Sequence, residues 1–171
     1  MLSFGDYSLR PLCEQDASSL ALYANNRKVW LNLRDRFPSP YQQDDAEQFI
    51  TLCQTLQEGQ ILAICTSQEC IGIIGLEIGV DVHCKTAELG YWLGEPFWGR
   101  GIMSQAVRCF TDFAHSKFGL LRIYAEPFSS NQASGRVLEK AGFDLEGILR
   151  KNAFKNGEVL DSMLYAKTWD E

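Results

Sequence analysis

The chain has 171 residues, of which 46% are hydrophobic and 22% are charged. This length predicts one domain over residues 1–171 with a sizeable core, and the composition excludes a disordered chain, a collagen-like fibre and a disulfide-stapled miniprotein. The 16 basic and 22 acidic residues give a net charge of -6. Because nucleic acids are bound through basic surface that neutralises phosphates, we expect no nucleic-acid partner.

The six cysteines form neither a metal-binding nor a disulfide pattern. No pair has Cys-x-x-Cys spacing and only two histidines are present, so no metal site is expected. Cys53 and Cys109 fall on apolar faces of predicted helices, where reduced thiols pack as small hydrophobes. The first residues lack the basic flank and apolar segment of a secretion signal, and the longest apolar run, residues 71–76, is too short to cross a bilayer. We therefore expect a cytoplasmic protein with no membrane partner.

The first third of the chain predicts one strand and two helices. The strand covers residues 4–12, and apolar residues at helical spacing predict helices over residues 14–25 and 44–58, the second ended by Gly59. Residues 27–41 are expected to be irregular, because prolines and aromatic residues interrupt any regular period.

The rest of the chain alternates strands with helices. Period and turn signals predict strands over 60–66, 71–80, 86–93, 120–125, 143–150 and 159–168, and helices over 102–117 and 131–141. Asn156-Gly157 is a strong hairpin-turn signal between the last two strands. The element order indicates a mixed α/β (α+β) fold, in which an antiparallel meander leads into a strand-helix-strand unit and a final hairpin.

The densest chemical signal is the segment Glu-Pro-Phe-Trp-Gly-Arg-Gly-Ile-Met-Ser at residues 95–104. Gly99 and Gly101 bracket one residue immediately before a predicted helix. Without Cβ atoms they let backbone N–H groups approach a ligand, and the helix start adds unpaired donors and a positive dipole end, which suits phosphate. No lysine completes a P-loop, and Ser104 stands where a dinucleotide fingerprint needs a third glycine. An isolated Gly-x-Gly is more often a tight turn that leads into a helix.

The neighbouring segments complete a wider pattern. Leu-Gly-Tyr-Trp-Leu-Gly at residues 89–94 precedes the loop, and Asn-Gln-Ala-Ser at 131–134 and Glu-Lys-Ala-Gly-Phe at 139–143 follow it. The chain resembles the GCN5-related N-acetyltransferase (GNAT) superfamily, and more narrowly the branch that contains the ribosomal-protein N-terminal acetyltransferases. The resemblance is strong over residues 86–143, continues through the final hairpin and is weak before residue 60. It implies one N-acetyltransferase domain with a mixed, mostly antiparallel sheet, splayed between the fourth and fifth strands, and about four helices on both faces.

The resemblance also implies acetyl-CoA as co-substrate and no metal. In this superfamily the loop amides bind the cofactor's pyrophosphate, which assigns to it Trp98, Gly99, Arg100, Gly101, Ile102 and Met103. The family usually has Gly or Ala where this chain has Met103. The pantetheine arm lies in the gap of the splayed sheet, where it would pair with main-chain groups of Trp92, Leu93 and Gly94, one of whose N–H groups would polarise the thioester. Asn131 is expected both to cap its helix and to contact the pantetheine region.

Two side chains are candidates for proton transfer. The resemblance makes Ser134, also near the cofactor, the candidate proton donor to the departing thiolate, although an ordinary first-turn serine explains it equally well. Strand alternation places Glu88, Gly90 and Trp92 on one face. A carboxylate among apolar neighbours should have a raised pKa and could act as a general base through water; an ion-paired glutamate at a strand end is the alternative. Some relatives carry the base on the strand after Gly147, where this chain has Ala153.

The family reaction is direct attack of a neutral amine on the thioester. An α-amine with a pKa of about 8 is roughly one tenth neutral at pH 7, whereas a lysine amine near ~10.4 needs about 4–5 kcal/mol to lose its proton. This favours the N-terminal α-amine of a protein or peptide as acceptor. A small-molecule amine (an antibiotic, polyamine or amino acid), a longer acyl group and a non-catalytic acyl-CoA-binding sensor remain alternatives.

The acceptor cleft is predicted to lie between residues 27–41 and the Asn156-Gly157 hairpin. Trp30, Arg34 and Arg36 are the candidate substrate-binding residues, because the two arginines could attract an acidic acceptor. The alternative is a solvated loop whose Trp30 and Phe37 pack on the core. The expected assembly is a monomer or a homodimer.

Overall fold

The structure is a computed structural model that describes residues 1–170. The chain forms two compact units. The first comprises Met1–Gly75 and Tyr91–Ile102, and the second comprises Leu76–Gly90 and the described residues from Met103 onward. The prediction of one domain over residues 1–171 stays a prediction.

One mixed sheet of eight strands confirms the predicted α/β class. Its strands are β1 (Leu2–Phe4), β2 (Tyr7–Arg10), β3 (Ile61–Cys65), β4 (Cys70–Ile78), β5 (Thr86–Leu93), β6 (Arg122–Ala125), β7 (Asp144–Lys155) and β8 (Glu158–Thr168). Their order in the sheet is β1-β2-β3-β4-β5-β6-β8-β7. The β1/β2, β2/β3, β3/β4, β6/β8 and β7/β8 pairs are antiparallel, and the β5/β6 pair is parallel.

The first unit begins with a hairpin where one strand was predicted. Phe4 pairs with Tyr7, and Gly5 has a φ of +54°, so the chain reverses at Gly5-Asp6. The prediction of one strand over residues 4–12 was therefore wrong. The apolar positions change phase across this two-residue turn, from Leu2 and Phe4 before it to Tyr7 and Leu9 after it, a break that the single-strand prediction overlooked.

Three helices, α1 (Ala17–Ala24), α2 (Arg27–Trp30) and α3 (Gln43–Thr55), complete the first unit. The short α2 was not predicted; the Asn26 side chain caps it by accepting from the Lys28 N–H at 2.8 Å. The α3 helix ends before Leu56, which is already extended, and not at Gly59 as predicted. The core of this unit contains Ala17, Leu20, Ala24, Tyr41, Ala46, Ile50, Ala63, Cys65, Cys70 and Ile73.

The second unit contains most of α4 (Ile102–Phe118) and all of α5 (Gln132–Lys140). The predicted apolar face of α4 is buried, since Ala106, Val107, Phe110 and Ala114 are all 0% exposed. The β7–β8 hairpin turns at Asn156-Gly157, where both residues have positive φ, as a type I′ turn requires. The β7 strand continues beyond the predicted residue 150 to Lys155, through two register shifts.

The parallel pairing between β5 and β6 is short. It joins Thr86 to Arg122, Ala87 to Ile123 and Glu88 to Tyr124, whereas β5 itself continues to Leu93. This is the pattern expected of a sheet that splays between these two strands. None of the helices within residues 1–170 combines the length and the apolarity that a bilayer crossing demands.

Candidate active site

The glycine loop, residues 98–101, presents open backbone immediately before α4. It follows a short 3-10 turn, Glu95–Phe97. Gly99 and Gly101 have φ values of +75° and +74°, which side chains other than glycine rarely tolerate. A Cβ atom built on either residue would meet nothing within 4 Å. The two glycines therefore keep open a surface that a ligand can approach closely.

The loop also supplies N–H donors. Among residues 1–170, no backbone carbonyl accepts from the N–H of Gly99 or Arg100. The first turn of α4, which starts at Ile102, adds N–H groups that have no partner within the helix and carries the positive end of the helix dipole. This combination is a physical basis for binding an anion.

Trp98 supports the loop and does not offer its amide. Its N–H donates to the Glu95 carbonyl at 3.1 Å, and its indole Nε1 donates to the Leu93 carbonyl at 2.7 Å. The indole thereby ties the loop to the end of β5. Arg100 is exposed, with its guanidinium 5.7 Å from the centre of the Phe97 ring.

The end of β5 already uses part of its main chain. The Gly94 N–H donates to the Ile71 carbonyl on β4 at 2.8 Å, and the Leu93 carbonyl accepts from Trp98. Gly72 comes so close that a Cβ there would lie 2.4 Å from the Trp92 carbonyl oxygen. A ligand that pairs with this segment as a strand would have to use the other main-chain groups of Trp92 and Leu93.

A polar clamp, formed by Asn26, Lys28 and Glu95, fixes the start of the turn before the glycine loop. The Asn26 Nδ2 donates to Glu95 Oε2 at 2.8 Å, and Lys28 Nζ donates to Glu95 Oε1. These hydrogen bonds, from Lys28 first and Asn26 second, lower the pKa of the Glu95 carboxyl, so this carboxylate stays ionised across the neutral range. Sequence analysis missed it: an asparagine before a helix signals a cap, but nothing in the sequence indicates its distant partner.

An aromatic contact accompanies the clamp. The Tyr23 ring meets the Phe97 ring edge to face, with centroids 5.4 Å apart. A Cβ on Gly94 would lie only 3.0 Å from the Tyr23 ring. The α1 helix therefore packs directly against the chain segment that joins β5 to the glycine loop.

The proposed acceptor segment is only partly in contact with the core. Phe37 packs against the core and against Tyr41 and Trp92, as the loop alternative predicted. Trp30 is half-buried beneath Arg27, whose guanidinium lies 5.4 Å from its ring. Arg34 and Arg36 are exposed. Their role in acceptor binding stays a prediction.

Within the second unit, Asn131 and Ser134 lie together at the start of α5. Asn131 is the N-cap as predicted, because its Oδ1 accepts from the Ser134 N–H at 3.1 Å. Ser134 is half-buried in the first turn. The Met103 side chain is 8% exposed and is a core residue of α4, so only its main chain is open to a ligand role.

Glu88 is the last residue of β5 that pairs with β6. The predicted alternation is observed within this unit: Ala87 and Leu89 are buried, whereas Glu88 is half-buried and Gly90 is exposed. The carboxylate thus lies on the more open face of the sheet. Its role as a general base stays a prediction.

Comparisons with known proteins agree with this geometry. The family model described as "Acetyltransferase (GNAT) domain" matches residues 7–144. An uncharacterized N-acetyltransferase of Bacillus subtilis, YoaA, is 31% identical over 92% of this chain and 90% of its own length. The ribosomal-protein-serine acetyltransferase of Escherichia coli is 29% identical over 95% of this chain and 92% of its own length.

A solved structure is similar over nearly the whole chain. The microcin C7 self immunity acetyltransferase MccE, in complex with acetyl-CoA and AMP, superposes with a TM-score of 0.83 at 26% identity, covering 97% of this chain and 94% of that one. The family match spans well over half of the sequence, and the chain belongs to the GNAT family of acetyltransferases.

Proposed function

We propose that this acetyltransferase transfers the acetyl group of acetyl-CoA directly to a primary amine, and that the acceptor is the N-terminal α-amine of a protein or peptide. The observation that carries the proposal is the glycine loop, whose two left-handed glycines open onto solvent where α4 begins. Similarity to the E. coli ribosomal-protein-serine acetyltransferase supports the acceptor class.

The diphosphate of acetyl-CoA is assigned to the main chain of Gly99, Arg100, Gly101, Ile102 and Met103. Backbone donors and the dipole of α4 both favour a doubly charged anion there. Trp98 contributes by holding the loop on Leu93. Gly99 and Gly101 have no side chain that could crowd the phosphates, which fits a group that must come close to the backbone.

The pantetheine arm and the thioester are assigned to Trp92, Leu93 and Gly94. Neighbouring residues of a strand direct their N–H groups to opposite edges, and the Gly94 N–H is directed to Ile71. We therefore expect the Leu93 N–H to polarise the thioester carbonyl, in the way that an oxyanion hole stabilises developing negative charge. Gly94 then supports the strand and does not contact the cofactor through its N–H.

Acetyl transfer needs one proton removed and one returned. The neutral amine attacks the thioester carbon, Glu88 accepts the amine's proton through a water molecule, and the C–S bond breaks as coenzyme A leaves. Ser134 donates a hydrogen bond or proton to the departing thiolate. General acid–base catalysis of this kind contributes about 10²–10⁴-fold to rate.

Because Glu88 is the one candidate base, an acceptor amine that loses its proton easily is favoured. A lysine side chain needs about 4–5 kcal/mol to become neutral at pH 7, whereas an α-amine needs roughly 1.4 kcal/mol. The α-amine is therefore the better match. A small-molecule amine is the second candidate, because the similar MccE structure is a complex with a small molecule, AMP, as well as with acetyl-CoA.

The acceptor can be identified by following coenzyme A release. A thiol reagent would detect the coenzyme A that is released from acetyl-CoA in the presence of each candidate acceptor. The acceptors are peptides of varied first residue, the same peptides with blocked N-termini and an internal lysine, and small amines such as spermidine. We expect the unblocked peptides to show the highest kcat/KM. Faster turnover of small amines would reassign the acceptor, and tight acetyl-CoA binding without acceptor-dependent release of coenzyme A would indicate a sensor.

We also propose that the protein is cytoplasmic and that it is a monomer or a homodimer.

The polar clamp should set the affinity for acetyl-CoA. We expect Glu95→Ala to raise the KM for acetyl-CoA several-fold with little change in kcat, because it releases the turn that leads into the glycine loop from Asn26 and Lys28. Steady-state kinetics at varied acetyl-CoA measures this. Glu47→Ala is the matched control, since Glu47 is an exposed acid on α3 of the same unit. Equal effects in the two variants would contradict a role for the clamp.

The Asn131 cap can be separated from a ligand contact. Asn131→Ala should lower the free energy of unfolding by about 1 kcal/mol through loss of the cap and should also raise the KM for acetyl-CoA. Asn131→Asp keeps an acceptor for the Ser134 N–H but removes the amide donor. Denaturant unfolding and kinetics of both variants distinguish the roles: a normal KM in Asn131→Asp would restrict Asn131 to capping.

A further inference from the structure

Two buried cysteines face each other next to the ion pair between Arg10 and Asp16. Cys65 ends β3 and is 2% exposed; Cys70 begins β4 and is 0% exposed. The two Sγ atoms and a carboxylate oxygen of Asp16 all lie within 4.8 Å of one another. The mechanism of acetyl transfer uses none of these groups.

The strand register favours a bond between the two sulfurs. Cys65 and Cys70 are direct cross-strand partners. The Thr66 N–H donates to the Glu69 carbonyl at 2.9 Å, which makes the adjacent Thr66/Glu69 pair the hydrogen-bonded one. Pairs alternate in an antiparallel ladder, so Cys65/Cys70 is a non-hydrogen-bonded pair, where Cα atoms are about 4.5 Å apart. That spacing lies within the range that disulfides adopt.

The surroundings make Cys65 the more nucleophilic of the two. Its interaction with the Cys70 side chain, and after it the positive charge of the Arg10 guanidinium, lower the pKa of the Cys65 thiol. The Cys70 thiol donates to the Gly72 carbonyl at 3.4 Å, and its interaction with Cys65, followed by burial, raises the pKa of Cys70. One thiolate beside one protonated thiol is the arrangement of an attacking and a resolving cysteine.

We propose that Cys65 and Cys70 are a redox-active dithiol that hydroperoxides convert reversibly to an intrachain disulfide. The Cys65 thiolate attacks the O–O bond of the hydroperoxide ROOH, one oxygen passes to the sulfur as a sulfenic acid, and the other leaves as ROH, which is water when the oxidant is hydrogen peroxide. The Cys70 thiol then attacks that sulfur, the S–S bond forms and the sulfenic oxygen leaves as water. The two thiols are oxidised by two electrons and the hydroperoxide is reduced, and a dithiol reductant reverses the reaction.

A cavity lies beside the residues that surround the pair. A cavity of about 350 Å³ is lined by Arg10, Asp16, Gln68 and Glu69, among other residues. Arg10 and Asp16 are the neighbours of the two thiols, and Gln68 and Glu69 belong to the turn between Cys65 and Cys70. A hydroperoxide is small enough to enter this cavity, whereas a protein oxidant is not.

The alternative to a disulfide is a soft metal ion bound by the two thiols and the Asp16 carboxylate. Asp16 opposes it, because both carboxylate oxygens accept from the Arg10 guanidinium at 2.7 Å and Oδ2 also accepts from the Cys13 N–H at 2.9 Å. The positive charge of Arg10 further disfavours a cation. The contacts therefore favour a disulfide over a metal.

Disulfide formation should affect the cofactor segment, which is the part of the chain (Trp92, Leu93 and Gly94) that we assign to the pantetheine arm. This expectation rests on the proposed function. Ile71 lies between Cys70 and Gly72 at the β3/β4 register shift, and its carbonyl accepts the Gly94 N–H. A bond that fixes Cys70 therefore acts one residue from the group that holds Gly94. We expect the oxidised protein to show a KM for acetyl-CoA at least two-fold different from that of the reduced protein.

The disulfide is tested by peptide mapping of the wild-type chain, which needs no cofactor. Reduced protein is treated with hydrogen peroxide in its folded state, alkylated and digested. We expect a linked Cys65–Cys70 peptide, which is lighter than the dithiol peptide by two hydrogen atoms, and full reversal by dithiothreitol. Cys84→Ser, which removes an exposed cysteine, should leave this product unchanged, and Cys70→Ser should abolish it while Cys65 becomes reactive toward dimedone.

Three results would overturn the proposal. In the first, Cys65 and Cys70 are both still alkylated although peroxide has oxidised Cys84. In the second, either cysteine is linked to a different cysteine. In the third, the protein binds one equivalent of Zn²⁺, which protects both thiols without disulfide formation. A linked peptide with an unchanged KM for acetyl-CoA would uphold the dithiol and reject only its effect on the cofactor segment.

Discussion

Gly99→Ala and Gly101→Ala are each expected to raise the KM for acetyl-CoA at least tenfold, a loss of about 1.4 kcal/mol of binding free energy. A Cβ on either residue meets no protein atom, so it would occupy the space that we assign to the diphosphate. It would also disturb the left-handed backbone that directs the amides. Steady-state kinetics and calorimetric titration with acetyl-CoA measure the effect.

The matched control is Gly142→Ala, which separates backbone strain from lost binding. Gly142 has a φ of +90°, and a Cβ there would have its nearest neighbour, Lys167 Cε, at 4.0 Å. All three variants should lose roughly 1–2 kcal/mol of stability from the left-handed conformation. Only the two loop variants should lose acetyl-CoA affinity. A similar rise in KM for Gly142→Ala would attribute the effect to stability.

Glu88→Gln is expected to lower kcat about 100-fold with little change in the KM for acetyl-CoA, because it removes the proton acceptor and keeps the shape of the side chain. Stopped assays that follow coenzyme A release at a series of pH values measure this change in kcat.

Glu77→Gln serves as the control for Glu88→Gln. Glu77 is an exposed glutamate on β4 within the same unit, so its replacement removes the same charge. We expect wild-type kcat and an unchanged pH profile. If Glu88→Gln behaved in the same way, the amine would lose its proton to water or to a group other than Glu88.

The parts of the fold that were predicted correctly are those encoded by short-range chemistry. The apolar face of α4, the Asn131 cap and the Asn156-Gly157 turn each depend on residues within a few positions of one another. The glycine loop was found for the same reason, since Gly99 and Gly101 need left-handed backbone that only local sequence supplies. Such local signals can be recognised in the sequence because they do not depend on how distant segments of the chain pack.

The features that were missed depend on tertiary contacts. Asn26 and Glu95 are separated by 69 positions, so the polar clamp exists only once the start of α2 has packed against the turn that follows β5. The Cys65/Cys70 pair lies close in sequence, but its register depends on the shift between Ile64 and Cys65. Periodicity carries no information about either of these pairings. The first hairpin is different, because the shift of the apolar positions between Phe4 and Tyr7 is a local signal of the turn that the prediction overlooked.

The central claim is that the amides of the glycine loop and the first turn of α4 bind the diphosphate of coenzyme A. The most direct measurement is an NMR titration of ¹⁵N-labelled protein with coenzyme A and, separately, with pantetheine, which lacks the diphosphate. We predict that the amide resonances of Gly99, Arg100, Gly101 and Met103 shift with coenzyme A and remain in place with pantetheine. Saturable binding of coenzyme A that leaves those four resonances unmoved would contradict the claim.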